Sequence, residues 1–328
     1  MKIAILGAGA WGTALACAFS SRHVVRLWAR DPQRAADMGA RRRSPYLAEV
    51  PIPGVVEVTA DAPAVLEGAE LIVVTTPTAG LRDALSRVRA CSRDETPVIW
   101  GCKGFEEATG RLPHEVAAEA LGDGARYGAL SGPSFALEVA RGLPTAVTLA
   151  STDAEFARAS AEALHERRLR VYFSDDLIGV EVGGAVKNVM AIATGIAEAL
   201  GLGLNARAAL ITRGLAEVTR LGVHLGGRLE TFMGLAGVGD LILTCTGELS
   251  RNRRVGLELG RGGQLDAILA GLGHVAEGVH TAREVESRAR DAGIDMPITG
   301  AVCDVLFRRV APRDAVEQLL ARDPKAES

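Results

Sequence analysis

The chain has 328 residues, 48% hydrophobic and 23% charged, with a formal net charge of -3, a size that one core serves poorly and two serve well. The near-neutral balance provides no electrostatic footprint for nucleic acid or an anionic membrane surface. Cysteines 17, 91, 102, 245 and 303 are scattered without Cys-x-x-Cys spacing, which argues against a disulfide framework or a zinc site and for a reducing cytoplasm; no metal is expected.

The N-terminus enters at once on KIAILG (2–7), without the basic, apolar and small-residue regions of a secretory signal, so no leader is expected. Gly7-Ala8-Gly9-Ala10-Trp11-Gly12 then fits G-x-G-x-x-G between a strand and a helix (13–21). In that setting Gly7 permits the tight turn, Gly9 lets pyrophosphate approach the backbone, and Gly12 lets the helix pack on the strand, with the helix N-terminus favouring negative charge. The second strand, 24–30, ends in Arg30 where an NAD-preferring fold often carries an acid. A guanidinium there suits a 2′-phosphate, so NADPH is favoured over NADH, although Asp31 stands one residue away. Arg42 and Arg43 are near enough in sequence to reach the same phosphate but read better as surface residues.

Strand-like runs at 71–77, 96–104, 145–151 and 169–175 alternate with helix-capable segments, the pattern of an α/β, Rossmann-type, mostly parallel sheet. After about residue 176 the strand signals stop, which predicts a dinucleotide-binding domain over 1–178 and an all-helical substrate-binding domain over 179–328. The apolar stretch 182–204 is interrupted by Lys187, Asn188 and Glu198, so no transmembrane helix is expected.

GGAVKNVM (183–190) sets a lysine among small and apolar residues, in a chain with only four lysines (2, 103, 187 and 325) against 33 arginines. An ammonium can give up a proton where a guanidinium cannot. Gly183 and Gly184 each cost about 1 kcal/mol in a helix interior, which calls for close approach of either a ligand or a neighbouring helix. Further on, 237–256 combines glycines, Asp240, hydroxyls and Ser250-Arg251-Asn252, a phosphate-oriented set, and SGPSFA (131–136) adds a Gly-hydroxyl turn.

GAGAWGTALA (7–16), WAR (28–30), CKG (102–104), LSGPSFA (130–136), VKNVMAIATG (186–195), GVGDLILTCTGELSRNRRVG (237–256) and AEGVHTA (276–282), taken together and in this order, resemble the bacterial-type NAD(P)-dependent glycerol-3-phosphate dehydrogenases. The resemblance implies reversible reduction of dihydroxyacetone phosphate to sn-glycerol 3-phosphate by NADPH or NADH, feeding glycerophospholipid synthesis. It makes Lys187 the proton donor and acceptor, with Asp240, Asn188 and Thr244 around the reacting carbon. It also places Lys103, Gly132, Ser134, Lys187, Asp240, Ser250, Arg251 and Asn252 on the substrate. The cofactor set implied is Gly7, Gly9, Ala10, Trp11, Gly12, Arg30, Lys103, Ala136, Arg251, Val275 and Glu277. Ala10 stands where many members carry Ser, removing one hydroxyl from the pyrophosphate turn and leaving the backbone donors. Rival readings are a β-hydroxyacid or 6-phosphogluconate type dehydrogenase, and a non-catalytic dinucleotide sensor. Oligomeric state stays open, a homodimer through the helical domain being one option.

Overall fold

The computed structural model describes residues 1–92, 95–107, 109–272 and 276–323. These divide into two compact units, Met1–Glu181 and Val182–Ser328.

The first unit is built on an eight-stranded sheet of order β10-β9-β8-β7-β6-β1-β2-β5. Its strands are β1 (Lys2–Leu6), β2 (Val24–Trp28), β5 (Glu57–Thr59), β6 (Leu71–Val74), β7 (Val98–Trp100), β8 (Tyr127–Ser131), β9 (Thr145–Ala150) and β10 (Leu169–Ser174), and a short hairpin, β3 (Arg43–Ser44) with β4 (Leu47–Pro51), stands apart. Pairing is parallel except between β8 and β9, so the sheet is mostly parallel, as the alternating pattern predicts. Helices α1 (Ala10–Phe19), α2 (Pro32–Arg41), α3 (Ala62–Leu66), α4 (Leu81–Cys91), α5 (Pro113–Leu121), α6 (Ala136–Ala140) and α7 (Ala154–Leu164) supply the crossovers. Ile3, Ile5, Leu15, Phe19, Leu27 and Val73 are fully buried in one cluster. β1 lies between β2 and β6, so the strand order reverses there and the end of β1 is the switch point where open α/β sheets take ligands.

The sequence pattern misses β5, β8 and the hairpin. In β8 the cause is Gly128, whose added Cβ would fall 2.5 Å from the Ala150 carbonyl oxygen. A close strand approach requires glycine there, and the apolar signal is weakened in consequence.

The second unit is helical: the greater part of α8 (Leu177–Ala199), then α9 (Gly203–His224), α10 (Leu229–Phe232), a π turn (Leu235–Gly239), α11 (Asp240–Thr246), α12 (Arg251–Gly260), α13 (Leu265–Leu272), α14 (Glu277–Asp291), α15 (Pro297–Phe307) and α16 (Pro312–Leu320). By length and apolarity alone α8 and the stretch Leu229–Thr246 could cross a membrane, but 89% of the α8 window is buried inside the fold, the mark of a core helix. Its neighbours in the core include Val255, Leu259, Val279 and Val302.

Two buried acids tie elements together. At the start of α8, Glu181 accepts hydrogen bonds from the Trp100 indole (3.0 Å), the His114 backbone N–H (3.0 Å) and His114 Nδ1 (2.5 Å). Burial, the largest single influence, disfavours the charged imidazole, but the bond to Glu181 together with the charges of Glu181 and Glu115 outweighs it and holds His114 above its ordinary titration range. In the helical unit, Glu217 on α9 accepts from Ile298 N (2.6 Å), Thr299 N (3.1 Å) and Thr299 Oγ1 (3.0 Å), closing the N-terminus of α15.

Burial pushes the Glu217 carboxyl from 4.5 up to about 7 against these donors. The folded state therefore holds a proton that the unfolded chain has lost between those values, and stability falls as pH rises through that window, by about 3 kcal/mol from this group. In urea unfolding, the stability of the parent relative to Glu217→Gln should be higher at about pH 5 than at about pH 8, by about 2 kcal/mol. A difference that does not move with pH would remove Glu217 as the titrating group.

Candidate active site

The first unit presents the dinucleotide turn. Gly7 adopts φ +121°, and an added Cβ would lie 2.9 Å from the backbone of Thr75 and Thr76. Thr75 Oγ1, at the end of β6, donates to the Gly7 carbonyl at 2.8 Å and fixes the turn. A Cβ on Gly12 would sit 1.9 Å from that same carbonyl, so only glycine lets α1 lie this close to the end of β1. Gly9 is the opposite case: no atom comes within 4 Å of where its Cβ would be. It is also the N-cap of α1, with no side chain accepting from the first turn. An open backbone face at a helix N-terminus is what a pyrophosphate requires, and these residues fit a dinucleotide. Ala10, Trp11 and Ala136 belong to one cluster with Ala14 and Val139. Trp11 packs over the end of β7, its Nε1 lying 2.5 Å from where a Gly101 Cβ would stand.

Beyond β2, Arg30 is exposed and Asp31 is the N-cap of α2, accepting the Arg34 N–H at 3.0 Å. Asp31 thus has a structural task, while Arg30 presents its guanidinium to solvent. Arg42 is committed elsewhere: half-buried, it donates to the carbonyls of Ile52, Pro53 and Val56, while Arg43 donates to Ala48. The Arg42 guanidinium is therefore not a surface charge, whereas Arg43 is exposed, as the sequence suggests. Arg34, which the sequence reading passes over, is exposed at the start of α2 and donates to the Tyr46 hydroxyl at 2.7 Å.

Also in this unit, Lys103 Nζ (3.3 Å) and Ser134 Oγ (2.9 Å) both donate to the Gly132 carbonyl. Gly132 has φ +137°, and its Cβ would fall 3.0 Å from Val147 Cα. The turn after β8 therefore depends on glycine to bring the lysine and the hydroxyl together.

The helical unit holds the second group. Lys187 Nζ donates to Asp240 Oδ1, and the two residues are only 6% and 1% exposed. Burial disfavours both charges and their pairing offsets that cost, so each group depends on the other. Thr244 Oγ1, one turn on, donates to the Asp240 carbonyl at 2.6 Å and stands 3.5 Å from its carboxylate. Gly183 supplies the approach that brings α11 to α8: its Cβ would lie 2.6 Å from the Ala236 carbonyl in the π turn. For Gly183 the sequence left open a ligand or a neighbouring backbone, and backbone is what it meets.

Ser250 is the N-cap of α12, its Oγ accepting the Arg253 N–H at 3.2 Å. Arg251 is exposed on the first turn, and Asn252 is buried, with Oδ1 accepting the Gly278 N–H at 3.0 Å. Gly278 in turn packs on the Asn188 carbonyl, where a Cβ would come within 2.7 Å. Asn188 and Asn252 are thereby brought to the start of α14, where Glu277 is the first residue. Val275 lies outside the described residues. Sequence reasoning missed Glu198 and Arg253, joined by bonds of 2.6, 2.7 and 3.1 Å, and Arg207, 2.5 Å from the same carboxylate. The available signal was an acid inside the apolar run of α8.

Known proteins match this chain over nearly all its length. The family description "NAD-dependent glycerol-3-phosphate dehydrogenase N-terminus" fits residues 2–157, and its C-terminus counterpart fits 176–317. The glycerol-3-phosphate dehydrogenase (NAD(P)+) of Dechloromonas aromatica is 58% identical over 100% of this chain and 99% of that protein. That of Aromatoleum aromaticum is 58% identical, covering 100% of both. The crystal structure of glycerol-3-phosphate dehydrogenase from Coxiella burnetii superposes with a TM-score of 0.93 at 44% identity, covering 98% of this chain and 99% of that one.

Proposed function

Because the chain belongs to the NAD-dependent glycerol-3-phosphate dehydrogenase family, we propose that Lys187, buried against Asp240, moves the proton when dihydroxyacetone phosphate is reduced to sn-glycerol 3-phosphate. The enzyme is an NAD(P)-dependent oxidoreductase acting on a CH–OH group. Its product is a precursor for glycerophospholipids.

When bound, NAD(P)H supplies the hydride for C2 of the substrate. Gly9, at the open N-terminus of α1, would meet its pyrophosphate with backbone donors, Gly7 and Gly12 shape the turn that allows this, and Ala10, Trp11, Ala136, Val275 and Glu277 are proposed as further contacts. Protonated Lys187 donates to the oxygen that gains charge on C2; in the oxidative direction the neutral amine takes the hydroxyl proton back. Asp240 holds Nζ in place, and Thr244 buttresses Asp240. Asn188, next to Lys187 on α8, is a further polar group for the reacting carbon. In the helical unit Arg251 and Asn252, with Ser250, take the phosphate end, so that binding energy far from C2 orients the carbonyl; Lys103, Gly132 and Ser134 of the first unit are proposed as further substrate contacts. Arg251 also touches the cofactor.

The observation that carries this reading is a buried lysine, one of four in the chain, paired with a buried aspartate 53 residues away. Following NADPH absorbance with dihydroxyacetone phosphate, against β-hydroxyacid and 6-phosphogluconate panels, tests it; turnover confined to a panel compound would overturn the substrate. NADPH is the favoured cofactor because Arg30 is exposed beyond β2 while Asp31 is engaged as a helix cap. Arg30→Ala should raise the Kd for NADPH by about tenfold or more and that for NADH by about twofold or less. Equal losses would show that Arg30 does not meet the 2′-phosphate. All five cysteines are free thiols, which supports a reducing, cytoplasmic home, and a homodimer remains the oligomer to test by light scattering.

A further inference from the structure

We propose that Glu198 and Arg253 are positioning residues for the substrate phosphate, fixing the first turn of α12 so that Arg251 and Asn252 meet the phosphate in one geometry. The inference rests on the reading of Arg251 and Asn252 given above.

α8 and α12 approach backbone to backbone at their glycines. A Cβ on Gly195 would lie 2.1 Å from the Arg253 carbonyl, and one on Gly256 would lie 2.1 Å from the Ile192 carbonyl. Further along, a Cβ on Gly260 would meet Ala199 Cβ at 2.6 Å. The glycines set the distance between the two helices closely, and further along α12 Val255 and Leu259 share one apolar cluster with Val189, Ile192 and Ile196 of α8, which resists rotation and sliding there. At the end of α12 that carries the phosphate residues, this resistance comes from the ion pair. Arg253 Nη2 reaches both oxygens of Glu198, at 2.6 and 2.7 Å, and Nε adds a bond at 3.1 Å. The planar guanidinium fork fixes direction as well as distance. The backbone N–H of Arg253 is held by the Ser250 cap, so one residue is tied at main chain and side chain, two positions from Arg251 and one from Asn252. The Gly278 bond to Asn252 Oδ1 fixes the amide from the other side. The Arg253 side chain is 10% exposed, so its charge has no alternative partner in bulk water.

Positioning can be separated from charge. Arg207 and Arg253 share the Glu198 carboxylate, leaving one positive charge in excess. Removing the acid's charge in Glu198→Gln makes the region more positive, which on electrostatics alone would tighten a phosphate. Arg253→Lys keeps the charge and removes the fork. Both variants should raise KM for dihydroxyacetone phosphate by about tenfold, with KM for NADPH within about twofold and kcat at saturation within about threefold. The inhibition constant of inorganic phosphate, competing with the substrate, should rise in parallel. In the double variant the increase should match that of one single variant, since both remove the same constraint.

An unchanged or lower KM for dihydroxyacetone phosphate in Glu198→Gln would overturn the proposal, as would a loss confined to kcat in both variants, the pattern of a smaller folded fraction. If Arg253→Lys does not fold, Glu198→Gln alone decides, since its half-exposed carboxylate becomes an amide of equal size. Arg251→Ala separates the underlying reading: if it leaves both the substrate KM and phosphate inhibition unchanged, the assignment of the phosphate to this turn has failed, whatever Glu198 and Arg253 do.

Discussion

Lys187→Arg should give a folded protein that binds NADPH as the parent does and reduces dihydroxyacetone phosphate about a thousandfold more slowly, the scale of a lost general acid. Arginine is the informative replacement because it keeps a positive charge beside Asp240, which is 1% exposed. Methionine would leave that carboxylate buried without its cation, at a cost of about 3–5 kcal/mol, and lost turnover would then be confounded with lost structure. A guanidinium does not release its proton at neutral pH, so the charge persists while the chemistry does not. Progress curves of NADPH absorbance give the rate, and fluorescence titration gives the NADPH affinity. Turnover within about tenfold of the parent would assign the proton to another group. The oxidative direction should suffer at least as much, since there the residue must first be neutral.

Two glycine variants of the dinucleotide turn should lose NADPH affinity by about a hundredfold or more, and for different reasons. In Gly12→Ala the new methyl would lie 1.9 Å from the Gly7 carbonyl and 2.4 Å from Thr75 Oγ1, so α1 must move off the end of β1. This variant should also lose thermal stability, by the few kcal/mol typical of an overpacked core site. In Gly9→Ala the methyl meets no atom within 4 Å, so the melting temperature without ligand should match the parent. Its affinity falls because the methyl occupies the space through which pyrophosphate reaches the backbone. Isothermal titration with NADPH and a melting curve of each variant distinguish the two. Normal affinity in Gly9→Ala would mean that the cofactor does not use this face of the turn.

Features that a short stretch of sequence determines were legible, and those created by distant pairing were not. The turn at 7–12 is local: three glycines between a strand and a helix carry their spacing openly, and each meets the surroundings that spacing implies. The sheet's alternating pattern was equally plain, except at the three-residue β5 and where Gly128 interrupts β8. Lys187 stood out by rarity, yet its partner is 53 residues further on and nothing in the intervening helices states the pairing. The same holds for Glu198 with Arg253, Glu181 with His114, and Glu217 with the start of α15. In each case the visible clue was an acid inside an apolar helical run, which says that a partner exists without saying where. Arg42 shows the converse error, an arginine in a basic run that reads as surface but is occupied by three backbone carbonyls.

The uncapped start of α1 makes ligand concentration a component of this protein's thermodynamics. Where Asp31, Asp61 and Asp153 close the helices that follow them, Gly9 leaves α1 without a side-chain acceptor, and a pyrophosphate bound there, as proposed above, would supply what the sequence withholds. Free dinucleotide at a hundred times its dissociation constant adds about 2.7 kcal/mol to the unfolding free energy of a chain that binds it only when folded. The melting temperature should therefore climb with the logarithm of NADPH concentration, and the cellular pool of reduced dinucleotide would set the enzyme's resistance to unfolding and degradation as well as its rate.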